Sequence, residues 1–266
     1  EGEREAVLQA VRLAEGSGRL LMTGGDYDWL PTPRAYYPSI FDPADADWDR
    51  AYALLLNMAD PQAHTLRPGN ARRWILAARE AGKPVIVDES VTGFGRLGRM
   101  WGFEATGLVP DIIVLGGAAG GGYPLGAVVA SPEIFGDHPT SVSSQAGNPI
   151  SCCAGAMILT TVGLGTLEYM SESDPVLTKG LDGLVSQFPH HLCGHHGWGH
   201  LRGLRLDSFE KAQRLVADAR AQGLYLAPAV ASTVVPAPGR IPSPNETSRG
   251  LDILASVLMS WGEQLS

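Results

Sequence analysis

Apolar positions near the start of the chain recur at helical spacing. Ala6, Ala10, Leu13 and Ala14 fall on one face of a helix predicted over residues 2–15. A short apolar run at 19–23 predicts a strand, and 52–58, almost uninterrupted in apolar character, predicts a strand buried on both faces. Helical periodicity returns over 69–81 and stops at Gly82, and 84–88 is a further strand whose last residue is acidic. Two more strands are predicted at 112–115 and 127–130. A long helix follows from Pro149 towards Met170, the proline suiting a first helical turn. Strands alternating with helices predict a mainly parallel sheet covered by helices. Beyond Asp174 the pattern changes to a smaller α+β arrangement: a strand at 201–206, a helix at 208–222, a strand at 224–226 and a terminal helix over about 245–264. The expected domains are therefore 1–175 and 176–266. Residues 233–244, rich in proline, read as an irregular loop, and 42–49 as an acidic connection.

Composition narrows the function classes. The 266 residues suffice for a large and a small domain, and 44% hydrophobic against 18% charged residues describes a globular α/β interior rather than a disordered chain. Twenty Lys and Arg against twenty-eight Asp and Glu leave a net charge of -8, so no basic footprint invites nucleic acid. The uncharged stretches 112–132 and 139–167 are interrupted by glycine, proline and polar residues, which excludes a membrane span. Cys152, Cys153 and Cys193 match neither a disulfide framework nor a zinc spacing, and with no signal-peptide pattern they point to a reducing cytoplasm. Cys152 and Cys153 are expected as small core residues of a buried helix. His190, His191, His195, His196 and His200 cluster around Cys193, but their spacing fits no metal motif, and no metal site is expected.

One stretch carries far more information. Val85-Ile86-Val87-Asp88-Glu89-Ser90-Val91-Thr92-Gly93-Phe94-Gly95-Arg96-Leu97-Gly98 and its continuation to Glu104 resemble the signature of class III (omega-type) aminotransferases, a family that includes glutamate-1-semialdehyde aminomutase. The resemblance continues through Val109-Pro110-Asp111, Gly120-Gly121-Gly122-Tyr123-Pro124-Leu125-Gly126-Ala127 and Gly147-Asn148-Pro149. Weaker echoes extend it over nearly the whole chain, which looks shortened at its start and between Trp29 and Tyr52.

The resemblance implies the fold type I architecture, a homodimer and a site for pyridoxal phosphate. Within it, Asp88 takes the place of the carboxylate that pairs with the pyridinium nitrogen. The Schiff-base lysine would fall in Leu115-Gly116-Gly117, where this chain has Gly117. The helix start that receives the cofactor phosphate reads Glu3-Arg4-Glu5, and an acid there would fill the anion site itself. The ring-stacking aromatic gives way to Asp26-Tyr27-Asp28, and Val91 replaces a polar contact to the ring hydroxyl. Ser144 stands where a threonine reaches the phosphate across the dimer. The histidine-rich segment aligns with a variable loop, and Arg96 and Arg202 belong to patterns that brace the fold.

These departures lead to the expectation of a fold type I α/β protein that has lost pyridoxal phosphate and uses no cofactor. It would carry out acid/base chemistry on a small polar metabolite, with Asp88, Asp26, Tyr27 and Asp28 as the catalytic groups. Glu3, Arg4, Val91, Gly117 and Ser144 would then mark a former cofactor site. Two alternatives stand beside this: a non-catalytic partner of an active paralogue, and a pyridoxal-phosphate-dependent aminotransferase whose lysine has been mutated.

Overall fold

A computed structural model describes residues 2–24, 27, 29–36, 42–59, 63–136, 146–236 and 242–263. The chain divides into two compact units. The first comprises Glu1–Asp60, Leu66–Phe94 and Arg99–Gly163, and the second Pro61–Thr65, Gly95–Gly98 and Leu164–Ser266.

The first unit is built on a six-stranded sheet of β1 (Arg19–Thr23), β2 (Arg34–Tyr36), β3 (Ala51–Asn57), β4 (Val85–Asp88), β5 (Ile112–Leu115) and β6 (Ala127–Ala130). The spatial order is β2-β1-β3-β4-β5-β6, parallel throughout except for β6, which runs antiparallel to β5. Every residue of β3 is buried, which is why its sequence is a continuous apolar run rather than an alternating one. Successive side chains take opposite faces of the sheet. Ala53 and Leu55 belong to the same core cluster as Ala6, Val7, Ala10 and Val11 of α1 (Glu3–Leu13), whereas Leu54 and Leu56 belong to that of Ala71, Trp74, Ile75 and Ala78 of α2 (Pro68–Glu80). The sheet thus carries a helix on each face, and the parallel strands β3 and β4 end side by side, with Asn57 paired in register to Asp88.

After the short α3 (Pro132–Phe135), Pro149 opens α4 (Pro149–Thr161), which is capped by Asn148 accepting from the Ile150 and Ser151 backbone N–H groups. A π-helical turn, Val162–Thr166, then leads into α5 (Leu167–Gln187). The single long helix expected towards Met170 is therefore two helices. Residue 175, expected at a domain boundary, lies inside α5, and the units divide at Gly163 and Leu164 instead. Cys152 and Cys153 are exposed, not core. The helix is apolar around its whole circumference, so its sequence could not say which face is covered.

The second unit pairs β7 (Leu192–Trp198), β8 (Leu201–Leu206) and β9 (Thr233–Val234) as an antiparallel sheet, with α5, α6 (Phe209–Ala221) and α7 (Pro244–Glu263) supplying its core through Leu181, Leu215, Leu254 and Trp261. The histidine-rich segment, expected as a loop, is strand β7. Its pairing with β8 supplies the order that its own glycines and histidines do not announce. No strand forms at 224–226, and Thr233–Val234 of the proline-rich stretch pairs with β8 instead. Arg202 braces this unit as expected from its pattern, donating to the Gly199 and Gly197 carbonyls, Asp174 and Thr178.

Candidate active site

The carboxyl ends of β3 and β4 gather a small set of polar side chains at the edge of an apolar sheet. Asp88, 2% exposed, accepts the Ser90 backbone N–H on Oδ1 at 2.9 Å and the Tyr27 hydroxyl on Oδ2 at 2.6 Å. Asn57 donates to the same Tyr27 oxygen at 2.8 Å, and its own Oδ1 accepts the Ala59 N–H at 2.8 Å. Burial first, then the charge of Asp88 and the hydrogen bond to it, push the Tyr27 hydroxyl well above its ordinary pKa, against a small opposing effect of Asn57. Tyr27 is thus a fixed donor whose proton already points at Asp88, and it is not available as a base. Its ring lies 6.4 Å from that of Trp29, which in turn carries the Arg4 guanidinium 5.5 Å above it.

The start of α1 closes one side of this edge. A Cβ on Gly116 would meet the Glu3 Cβ and the Ser90 Cβ at 3.0 Å each, so α1, the end of β5 and the turn after β4 are in contact there. Glu3 keeps an exposed surface, yet its pKa is raised, by desolvation first and by Asp88 second, while a hydrogen bond with Ser90 and the Arg4 charge pull the other way. Gly117 has φ +48°, and a Cβ built on it would lie 2.2 Å from the Ser90 carbonyl oxygen. Any side chain at that position requires the backbone to move.

Beside Asp88, Glu89 points to the other side of the strand end and is fully buried. Its Oε2 accepts the Thr92 hydroxyl at 2.5 Å and the Gly102 N–H at 3.0 Å, and its Oε1 accepts the Phe103 N–H at 2.7 Å. This carboxyl pins both ends of the turn-rich stretch that begins with Ser90. Desolvation is the main cause of its raised pKa, offset in part by these three hydrogen bonds.

Of the residues singled out in the sequence, Asp88 and Tyr27 are brought into direct contact, with Glu3 and Gly117 beside them at Ser90. Val91 is partly buried in the turn after β4. Asp26, Asp28 and Ser144 lie outside the described residues. Asn57 and Glu89 were missed. Asn57 carried a usable signal, since a polar residue closing a fully apolar strand sits where open α/β sheets place their ligands. Among the described residues no group of His, Cys, Asp and Glu could hold a metal ion.

A mainly parallel sheet with a buried aspartate at a strand end and a helix start beside it is the arrangement that the resemblance to fold type I pyridoxal phosphate enzymes implies. The likeness to solved structures agrees: an acetylornithine aminotransferase from Elizabethkingia anophelis superposes with a TM-score of 0.83 at 20% identity, over 97% of this chain and 74% of that one. An S-selective transaminase from Arthrobacter sp. gives 0.83 at 18% identity, over 98% and 74%.

The chain belongs to the class III aminotransferase family, whose model, described as Aminotransferase class-III, matches residues 75–258. The acetylornithine aminotransferase of Parasynechococcus marenigrum is 32% identical over 243 residues, which cover 87% of this chain and 57% of that protein. The one from Caldanaerobacter subterraneus subsp. tengcongensis is 35% identical over 179 residues, 65% of this chain and 44% of that protein. The chain thus spans about half the length of the curated relatives it matches.

This membership overturns two expectations: that pyridoxal phosphate has been lost, and that Asp88, Asp26, Tyr27 and Asp28 perform cofactor-free acid/base chemistry in its place. Class III aminotransferases work with pyridoxal phosphate, and the relatives matched here are named for amino transfer. Glu3 was one of four departures that argued against the cofactor, beside Gly117, Asp26-Tyr27-Asp28 and Val91. The Glu3 carboxyl, however, has a raised pKa, from desolvation first and Asp88 second, and it interacts with Ser90 and Arg4, which pull the other way. The site's residues fit the ring and the phosphate. Each oxygen of Asp88 has one accepted hydrogen bond and a lone pair left for a pyridinium N–H. The first turn of α1 has N–H groups without helical acceptors, and Arg4 adds positive charge there. Position 117 contributes no amine.

Glu3 should therefore tune cofactor binding: as pH rises through its raised pKa the carboxyl gains charge at the α1 start, and affinity for pyridoxal phosphate should fall. Glu3→Gln should tighten binding by roughly 2- to 5-fold above that pH, the equivalent of about 0.3–1 kcal/mol at a helix N-terminus. Titrations of wild type and variant at matched pH values cancel the ionisation of the cofactor itself. Weaker binding by the variant, or parallel pH profiles, would refute the assignment.

Proposed function

We propose that this chain serves pyridoxal-phosphate-dependent amino transfer between a small amino acid and a keto acid, with an ω-amino acid of the acetylornithine kind as the amino donor. The observation that supports it most directly is the buried Asp88, braced by Tyr27, Asn57 and the Ser90 N–H at the strand end where the family motif puts its ring partner. Bound, the cofactor would supply the electron sink that such a transfer needs. Asp88 would hold its positive ring nitrogen, Tyr27 and Asn57 keep that carboxylate in one orientation, and the α1 start with Arg4 would receive the phosphate. Gly117 leaves the site without the lysine that the resemblance implies. The cofactor would therefore be held by non-covalent contacts alone, and transfer should be slower than in a lysine-bearing relative. The test is a pyridoxal phosphate titration followed by absorption and native mass spectrometry, then amino transfer from N-acetylornithine. Binding with stoichiometric cofactor mass supports the reading, and no binding at saturating cofactor ends it.

The chain acts as a homodimer, with α4 as part of the contact. Ile150, Met157 and Leu159 are exposed at 62%, 69% and 46%, and α4 has no charged residue to keep this surface solvated. Met157→Glu would place an unpaired charge in that contact, a cost of several kcal/mol. Sedimentation at micromolar concentration should therefore change from dimer to monomer, and an unchanged dimer would exclude α4 from the interface.

A further inference from the structure

Arg4, in the first turn of α1, is exposed, yet its guanidinium has a defined neighbour. It lies 5.5 Å from the centre of the Trp29 ring, within the range of a cation–π contact. Trp29, partly buried, stands 6.4 Å from the ring of Tyr27, whose hydroxyl donates to Asp88. All four residues lie in the first unit. Their contacts run from a carboxylate through two aromatic rings to a guanidinium, which matches a flat ligand that is positive at one end and anionic at the other. Pyridoxal phosphate with a protonated ring has that pattern of charge.

The contact with Trp29 changes what Arg4 can do. A long exposed side chain samples many rotamers, and immobilising it on a ligand costs affinity. A cation–π contact orders the guanidinium through its charge and leaves its N–H groups to donate elsewhere, whereas a carboxylate partner would use both. The charge is also felt at the helix start. Desolvation first and Asp88 second raise the pKa of the adjacent Glu3, and Ser90 and Arg4 oppose them.

We propose that Trp29 is a positioning residue: it holds Arg4 where the guanidinium meets the cofactor phosphate, and so makes the site selective for pyridoxal phosphate over pyridoxal. The assignment rests on the reading of the α1 start as the phosphate site, and adds to it the residue through which Arg4 becomes effective.

The test is a pair of absorption titrations of the full chain, with pyridoxal phosphate and with pyridoxal, which lacks the phosphate. A general loss of structure cancels in the ratio of the two affinities. Wild type should favour the phosphorylated form by about tenfold or more, as a hydrogen-bonded pairing with a charged group implies. Arg4→Gln should remove a large part of that preference. Trp29→Leu should lower it by roughly 2- to 10-fold, the cost of ordering one long side chain, and Trp29→Phe, which keeps a ring face, should fall between that variant and wild type. In the Arg4→Gln background Trp29→Leu should change the ratio no further, because Trp29 acts through Arg4. If Trp29→Leu does not fold, Trp29→Phe in the two backgrounds makes the same comparison. Equal losses of both ligands in the Trp29 variants would mean ordinary packing and overturn the proposal, as would an unchanged preference or additive losses in the double variant. A wild type that binds pyridoxal phosphate no better than pyridoxal also overturns it, while the pairing of Asp88 with the ring stands. One that binds neither ends both readings.

Discussion

Asp88→Asn should lower the affinity for pyridoxal phosphate by roughly 10- to 150-fold. A hydrogen bond to a charged group is worth about 1.5–3 kcal/mol, and every 1.4 kcal/mol is a factor of ten in the dissociation constant. Asparagine retains the shape and an oxygen for the Ser90 N–H but loses the negative charge that a pyridinium requires. Its amide N–H₂ would also face the Tyr27 hydroxyl, whose oxygen already accepts from Asn57 and whose proton needs an acceptor. Tyr27→Phe separates the two effects. It removes the brace and keeps the charge, so it should cost only a few-fold, about the 0.5–1.5 kcal/mol of an ordinary hydrogen bond. Absorption titrations of the three proteins, with circular dichroism melts to confirm folding, give the comparison. An Asp88→Asn variant that binds as well as wild type would show that the carboxylate does not meet the ring.

The elements that could be read from the chain are those whose burial is simple. β3 is covered on both sides and reads as an apolar run, α1 and α2 each bury one stripe and read at helical spacing, and β5, β6 and β8 have the bounds that their apolar residues mark. The misses share a cause: the information sits in a neighbour. β7 is ordered by β8, and its histidines and glycines are mostly only partly buried, so no apolar alternation reveals it. β9 is two residues long, too short for a period. For Cys152 and Cys153, an apolar helix left exposed looks the same in sequence as one that faces a core.

The site was legible in the same uneven way. Asp88 was readable because its motif is long. The charge state of Glu3 was not, since it depends on desolvation and on an aspartate far along the chain. The missing lysine at Gly117, Glu3, Asp26-Tyr27-Asp28 and Val91 together led to the expectation of a cofactor-free enzyme, and membership of the class III aminotransferase family overturns it. Gly117 illustrates the opposite case. Its missing side chain is plain in the sequence, but only the structure shows that the Ser90 carbonyl occupies the space a Cβ would need.

Glu89→Ala should cost about 2–6 kcal/mol of folding stability, the largest loss anticipated for a residue that need not touch substrate. Glu89 is fully buried and accepts from Thr92, Gly102 and Phe103. Truncation leaves the two backbone N–H groups without a partner at about 1–3 kcal/mol each. The stretch it pins begins at Ser90, whose N–H supports Asp88, so affinity for pyridoxal phosphate should fall along with stability. The dependence on pH has a definite sign. The pKa of Glu89 is raised in the folded chain, so the native state holds this proton more tightly than the unfolded one. Its contribution is complete below the ordinary carboxylate value near 4.5 and declines as pH rises from there through the folded pKa. Glu89→Gln abolishes that titration and keeps one acceptor oxygen, so its stability should lie between those of wild type and Glu89→Ala, with a flatter profile above pH 4.5. Urea unfolding followed by circular dichroism across this pH range measures all three. A Glu89→Ala chain within about 1 kcal/mol of wild type would mean that water or a local rearrangement reaches the two N–H groups, and the clamp at the root of the site would have to be abandoned.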